Sequence, residues 1–204
     1  MGDAKTGPAE AQRRRRRFQF SLRLLLIGVT LCAVLLGLVM WQVRRRERAV
    51  EAVRELGGRV ILGSEAPVPE WLRSVVPSRV VVVDLTDTRA TNASLARLEN
   101  LAALRTLKLD NTKIGPGGLE HLANLARVES LSLAGTGIAD ADLVHLARLR
   151  NLARLDVRGT QISDAGLKHL RGLVALEDLD IRDTRVTDVG LQHLAGLSGL
   201  TRTS

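Results

Sequence analysis

One interval, 24 residues, governs most of this chain. Four histidines, His121, His145, His169 and His193, are spaced by it, and so are four threonines, Thr112, Thr136, Thr160 and Thr184. The residues that open each unit keep it too: Leu104, Val128, Leu152, Leu176 and Leu200. A fixed period of this length, with leucines at set offsets, describes a stack of like units. No unit can bury its own apolar face, so each must be covered by its neighbours. The core therefore runs along the stack, and surface residues recur in columns.

Each unit follows L-x-x-L-x-L-x-x-T-x-I-x-D-x-G-L-x-H-L-x-x-L. Its first part alternates, as in Leu107 and Leu109, Leu131 and Leu133, Leu155 and Val157, Leu179 and Ile181. Period two predicts a short strand with one buried face. The second part spaces Leu119, Leu122 and Leu125 at helical intervals and repeats them 24 residues on, so a helix is predicted next. Asp164 and Asp188 precede those helices, where a carboxylate is expected to cap the free amides. Pro116 takes that place in "GPGG", which a first helical turn tolerates. A degenerate earlier unit, "VVVVDLTDTRATNASLARLENLAA", keeps Val83, Leu85, Thr88, Leu95, Leu98 and Leu101 in register, with Ala90 in the isoleucine position.

Strand, loop and helix once per 24 residues resembles the leucine-rich-repeat family, in particular its cysteine-containing type. Thr112, Thr136, Thr160 and Thr184 stand where that type has Asn or Cys. The resemblance covers residues 80–204. It implies an α/β leucine-rich-repeat solenoid of about five strand–loop–helix units, preceded here by a single transmembrane helix. It also implies that the threonines form a hydrogen-bonded ladder holding successive loops. The whole layout is similar to short bacterial membrane-anchored proteins of this kind.

Charge is distributed unevenly. Residues 1–59 hold 13 Lys/Arg against 5 Asp/Glu, a surplus of 8, whereas residues 60–204 hold 17 of each. The folded part is thus neutral, which argues against a nucleic-acid partner, since such a partner calls for a basic stripe on the domain itself. The surplus flanks Leu24–Val43, twenty residues without a charge. As a helix this spans about 30 Å, the thickness of a bilayer's hydrocarbon core. Phe18, Phe20 and Trp41 sit where interfacial aromatics belong. A cleaved signal peptide is the rival, but its apolar region would be about 7–15 residues and end in small residues. Six arginines (13–17 and 23) precede the span and four (44–46 and 48) follow it. By the positive-inside rule the tail is expected in the cytoplasm and the repeats on the outer or periplasmic side of the cell (inner) membrane.

These signals divide the chain into a basic tail (1–23), a transmembrane helix (24–43), a juxtamembrane helix (44–58), an N-terminal cap of the solenoid (59–79) and the repeats (80–204). In the juxtamembrane piece Ala49, Val50, Val53 and Leu56 recur at helical spacing. In the cap Pro67 and Pro69 mark a loop, and Trp71 is the expected apolar plug. The chain reaches Thr201–Ser204 as Leu200 opens a sixth unit, so either the helix of 190–198 and the tail suffice as a cap, the open edge pairs with another chain, or the sequence is a truncated product.

Chemistry is sparse. Zinc ligands must converge within roughly 2.0–2.1 Å of one ion, while residues one unit apart are translated by at least about 4.8 Å. The histidine column therefore cannot close on a single metal. The only cysteine, Cys32, lies in the apolar span. Ser132 and Asp156 have histidines only on the far side of a unit, which denies them a relay. "GPGG" lacks the lysine of a phosphate loop. No enzyme activity, cofactor or metal is expected. The strand face remains, where side chains between the core leucines point outward. Its last two complete units carry Arg154, Asp156, Arg158, Asp178, Asp180 and Arg182, a candidate protein-binding patch whose opposite charges would pair across neighbouring strands. The expected function is membrane-anchored presentation of that surface to a protein partner. A tethered assembly element, self-associating as a homo-oligomer through the C-terminal edge, and a secreted repeat protein are the alternatives.

Overall fold

The computed structural model describes residues 8–63 and 79–204. The chain divides into two compact units, 1–44 and 45–204. The first unit is helical from Pro8, as part of α1 (Pro8–Glu55). From Leu24 to Trp41 every described side chain is exposed, with the large apolar ones 42–64% accessible. The helix is long and apolar enough to cross a membrane.

In the second unit, α1 ends as an amphipathic segment. Ala49, Ala52 and Val53 are buried in the repeat core, with Val50 and Leu56 packed against it. Glu47, Arg48, Glu51, Arg54 and Glu55 face outward. Helical spacing of the apolar positions had foretold the stripe, but the segment does more than connect. It packs onto the first end of the stack, where β1 is also the outermost strand. The amides of Gly57 and Gly58 donate to the carbonyls of Arg54 and Val53 (2.9 Å each), and Gly57 takes φ +80°, a glycine-terminated helix end. A Cβ on Gly58 would lie 2.6 Å from Leu85 and 2.8 Å from both Val53 and the carbonyl oxygen of Asp84. The chain therefore turns tightly into β1 (Arg59–Gly63), antiparallel to β2 (Arg79–Asp84). Pro67, Pro69 and Trp71 lie outside the described residues.

From β2 onward every neighbour is parallel and in one register: β3 (Thr106–Lys108), β4 (Ser130–Ser132), β5 (Arg154–Asp156), β6 (Asp178–Asp180) and β7 (Arg202–Thr203). Leu107, Leu131, Leu155 and Leu179 stack directly, and all four are buried. The core is aliphatic throughout, and burying each leucine contributes about 1.5–3 kcal/mol relative to exposure. In the last unit Ile181, Val186 and Leu191 are only partly buried, while Val157, Ile162 and Leu167 one unit earlier are fully covered. Among the described residues, the two-residue β7 is the one strand beyond β6.

The helical side is shorter and tighter than leucine spacing predicts. Single α-turns occur at α2 (Asn92–Ala96), α3 (Asp164–Leu167) and α4 (Asp188–Leu191), with 3₁₀ segments at Gly118–Leu122, Asp140–Arg148, Lys168–Leu170 and Gln192–Leu194. Each segment must close within one 24-residue turn of the stack, and 3₁₀ geometry serves short pieces well.

Candidate functional site

The side of the stack away from the strands is tied by carboxylates in a way that corrects the capping expectation. The residues that cap α3 and α4 are Ser163 and Thr187, whose hydroxyls accept from the amides of Ala165 and Val189. Asp164 instead reaches the next unit, accepting from the Thr187 amide (2.7 Å) and hydroxyl (2.8 Å). Those two bonds, the amide first, hold the Asp164 carboxyl below its ordinary pKa. Asp140 does the same for Ser163 (2.7 and 2.6 Å), and Asn92 accepts from the Gly115 amide at 3.1 Å. Pro116 interrupts this series. Asp142, buried, repairs it by accepting from Gly117 N (2.7 Å) in the preceding unit and from Ala139 N (2.9 Å) in its own.

The threonines also act differently from the implied ladder. Each hydroxyl donates within its own unit, to the carbonyl three residues earlier: Thr112 to Leu109 (2.7 Å), and Thr136, Thr160 and Thr184 to Leu133, Val157 and Ile181 (2.6 Å each). They close the turn after each strand, while backbone amides connect one unit to the next. The residue before each threonine is left-handed: Asp87, Asn111, Gly135, Gly159 and Asp183 have φ between +54° and +65°. Asp, Asn and Gly are the types that tolerate this conformation. Identity matching misses this column because the shared property is conformational, yet the 24-residue spacing was there to be found.

The histidines do not converge. His121 Nδ1 lies 2.5 Å from Glu99 Oε1 and its Nε2 lies 3.7 Å from Glu120, whereas His169 is exposed. Among the described residues no group of three or more His, Cys, Asp or Glu is arranged to hold a metal.

The strand face brings five of the six candidate residues into contact with partners. Arg158 Nε lies 3.0 Å from both oxygens of Asp156, with Nη2 at 2.8 Å, and reaches Asp180 at 3.4 Å. Arg182 grips Asp180 at 2.9 Å through Nε and 2.5 Å through Nη2. Asp178 meets Arg202 at 3.8 Å. Arg154, exposed, makes no ion pair or hydrogen bond through its side chain among the described residues. The expectation of pairing across strands is therefore met at Arg158–Asp180 and Arg202–Asp178, while the closest pairs lie two residues apart within one unit. Register explains this, because β5 and β6 place Asp156 beside Asp180, two like charges that the Arg158 guanidinium separates. The same carboxylates order the backbone, accepting from the amides of Arg158 (3.1 Å) and Arg182 (3.2 Å). Hydrogen bonds from Arg182 hold the Asp180 carboxyl low, outweighing its partial burial. At Asp84 partial burial pushes upward, but Thr86's hydrogen bonds and the charges of Lys108 and Arg59 bring it below the ordinary value. Pairs this accessible contribute about 0–1 kcal/mol each. Their consequence is a face whose carboxylates are already occupied.

A leucine-rich-repeat family model matches residues 148–170 and 175–195. No curated protein sequence matches the chain. Among solved structures, an internalin (inlF) from Listeria monocytogenes aligns at 22% identity and TM-score 0.55, covering 62% of this chain. This chain spans only 35% of that internalin's length. The leucine-rich-repeat ectodomain of the receptor kinase SOBIR1 from Arabidopsis thaliana aligns at 16% identity and TM-score 0.53, covering 78% of this chain and 91% of that one. At these identities the likeness is one of fold. Two of its units thus match the leucine-rich-repeat family pattern, and the repeats of this chain have the leucine-rich-repeat fold.

Proposed function

We propose that the chain is a single-pass membrane protein that presents the strand face of its repeats to a protein partner. The observation that carries this reading is the face itself. Strands β3 to β6 hold polar and charged side chains in fixed columns over an unbroken aliphatic core. Such concave surfaces are what stacked repeats offer to partners. The site comprises Arg154, Asp156, Arg158, Asp178, Asp180 and Arg182. Anchoring rests on the exposed apolar stretch from Leu24 to Trp41 and the arginines on either side of it. Orientation follows the larger positive flank, with the tail in the cytoplasm and the repeats across the cell (inner) membrane.

Alkaline extraction of membranes, followed by protease treatment of intact and permeabilised cells, tests the anchor and its direction. Retention in the membrane with protease-sensitive repeats supports both. A mature chain beginning near residue 45 and free of membrane would refute anchoring. Photo-crosslinkers at Arg154 and Asp178, compared with one at Val174 away from the strands, test the surface. A specific adduct from the strand face alone is expected.

A further inference from the structure

The neutral charge total of the repeats conceals a separation. The helical side of each unit leads to the following strand through residues 99–103, 123–127, 147–151, 171–175 and 195–199. These segments form one edge of the stack and carry Arg127, Arg148, Arg150 and Arg171 against a single carboxylate, Glu99. All four arginines are exposed, and none makes an ion pair or side-chain hydrogen bond among the described residues. Register sets no carboxylate beside them: one unit before and after each, the matching positions hold Ala, Asn, Gly or Val. Glu99 and Glu120 lie against His121, 2.5 Å from Nδ1 and 3.7 Å from Nε2. Glu129 and Glu177 stand past the edge, where the strand rows begin. Arg105 holds the first at 2.6 Å, and the second is joined through its backbone to Ala153. One unheld carboxylate does not offset four guanidiniums.

The chain enters the stack at this same edge. Arg45 Nη1 donates to Asn100 Oδ1 at 3.0 Å, and Asn100 belongs to the first of these segments, in the column of Asn124 and Arg148. At the far end of that helix Gly58 sits against Asp84 and Leu85, where β2 ends. Arg45 follows Val43, the last residue of the charge-free stretch, by two residues, about 3 Å along a helix. Arg127, then Arg148 with Arg150, then Arg171 come one, two and three units after Asn100, at least about 5, 10 and 14 Å along the stack. Among them Val174 is 71% exposed. Uncompensated guanidiniums around an exposed valine, beside the end of an apolar span, suit phosphate-bearing headgroups, which arginine engages through paired N–H donors.

We propose that this edge of the repeats lies against the membrane surface, where Arg127, Arg148, Arg150 and Arg171 bind anionic lipid headgroups. This inference rests on the reading that α1 anchors the chain, and adds a second contact with the same bilayer. The strand face stays open to a protein partner, because none of its candidate residues belongs to the edge.

The test reconstitutes the full chain, carrying Cys32→Ser and a fluorophore on Val174→Cys, into vesicles of phosphatidylcholine alone or mixed with phosphatidylglycerol. Both leaflets contain a lipid with a nitroxide on its headgroup. A second labelled variant, Gln161→Cys, reports on the exposed turns past the strand ends. Quenching at Val174 and not at Gln161 is expected in the mixed vesicles, falling in phosphatidylcholine alone and as salt shortens the screening length. Each arginine near an anionic surface contributes about a fivefold factor, so Arg148→Gln with Arg150→Gln should lower the docking equilibrium about thirtyfold. Arg89→Gln with Arg185→Gln, beyond the strand ends, should leave it unchanged, and thermal melts check that every variant folds. Equal quenching at Val174 in both lipids, or quenching that survives loss of all four arginines, would assign the proximity to the tether alone and overturn the proposal. Flotation with both kinds of vesicle but no quenching at Val174 would overturn it while leaving the anchor intact. A chain that floats with neither would end both.

Discussion

Asp142 offers the sharpest test of how these units are tied together. Pro116 removes the carboxylate that elsewhere bridges to the following unit, and Asp142 accepts the two amides concerned, Gly117 N at 2.7 Å and Ala139 N at 2.9 Å. Hydrogen bonds to a charged group contribute about 1.5–3 kcal/mol each. Gly117 is exposed and Ala139 partly buried, so water compensates in part. Asp142→Ala should therefore cost about 2–4 kcal/mol in total. For a domain of this size that lowers the melting temperature by about 5–15 °C. Asp142→Asn should fall between, since its carbonyl accepts one amide while its NH₂ group confronts the other. Far-UV circular dichroism during urea and thermal unfolding reads the stability, and hydrogen exchange at Gly117 and Ala139 reads the two amides directly. Pro116→Asp in the Asp142→Ala background should recover about half of the loss, by restoring the bridge that Asp140 and Asp164 make. If Asp142→Ala melts within about 0.5 kcal/mol of the native chain, a bound surveyed as surface-like, or if Gly117 exchange is unchanged, the bridging argument is wrong.

Other consequences are equally direct. Leu155→Ala, between Leu131 and Leu179 in the core column, should cost about 2–5 kcal/mol, whereas Arg154→Ala should stay within about 0.5 kcal/mol, both read by urea unfolding. Gly135→Ala forces a side chain onto φ +65° and against the Asn111 amide, and should cost about 1–3 kcal/mol. Gly159→Asn, at φ +64° with only ordinary contacts around its Cβ, should cost less, because Asn111 already adopts that conformation. The carboxyls of Asp84, Asp164 and Asp180 all titrate below their unfolded values. Their contribution is complete above about pH 4 and is lost as pH falls through the lowered folded pKa values. The urea midpoint should drop over that acid range, and an Asp164→Asn, Asp180→Asn double variant should show a shallower drop.

Much of the architecture was legible in the residues. Period two in Leu131 and Leu133, set beside the 24-residue interval, named the buried strand positions, and the parallel register follows once each unit stacks on the last. The candidate patch was legible only as a collection of charges. Which carboxylate meets which guanidinium depends on side-chain reach and on like charges falling side by side, as at Asp156 and Asp180. The role of Asp164 is hidden in the sequence for a similar reason. Capping chemistry is local, but its two partner bonds both belong to the next unit.

The sequence by itself determined the repeat, its aliphatic core, the outward columns and an apolar helix flanked by arginines. Each of these depends on periodicity or composition along the chain, and hydrophobic burial acts on periodicity without needing exact neighbours. The tertiary structure decided that the end of α1 packs onto the first strand–loop–helix unit and that Asp142 replaces a missing bridge. Those outcomes turn on distances of about 3 Å between residues more than twenty positions apart, which arise only when one unit is laid against the next.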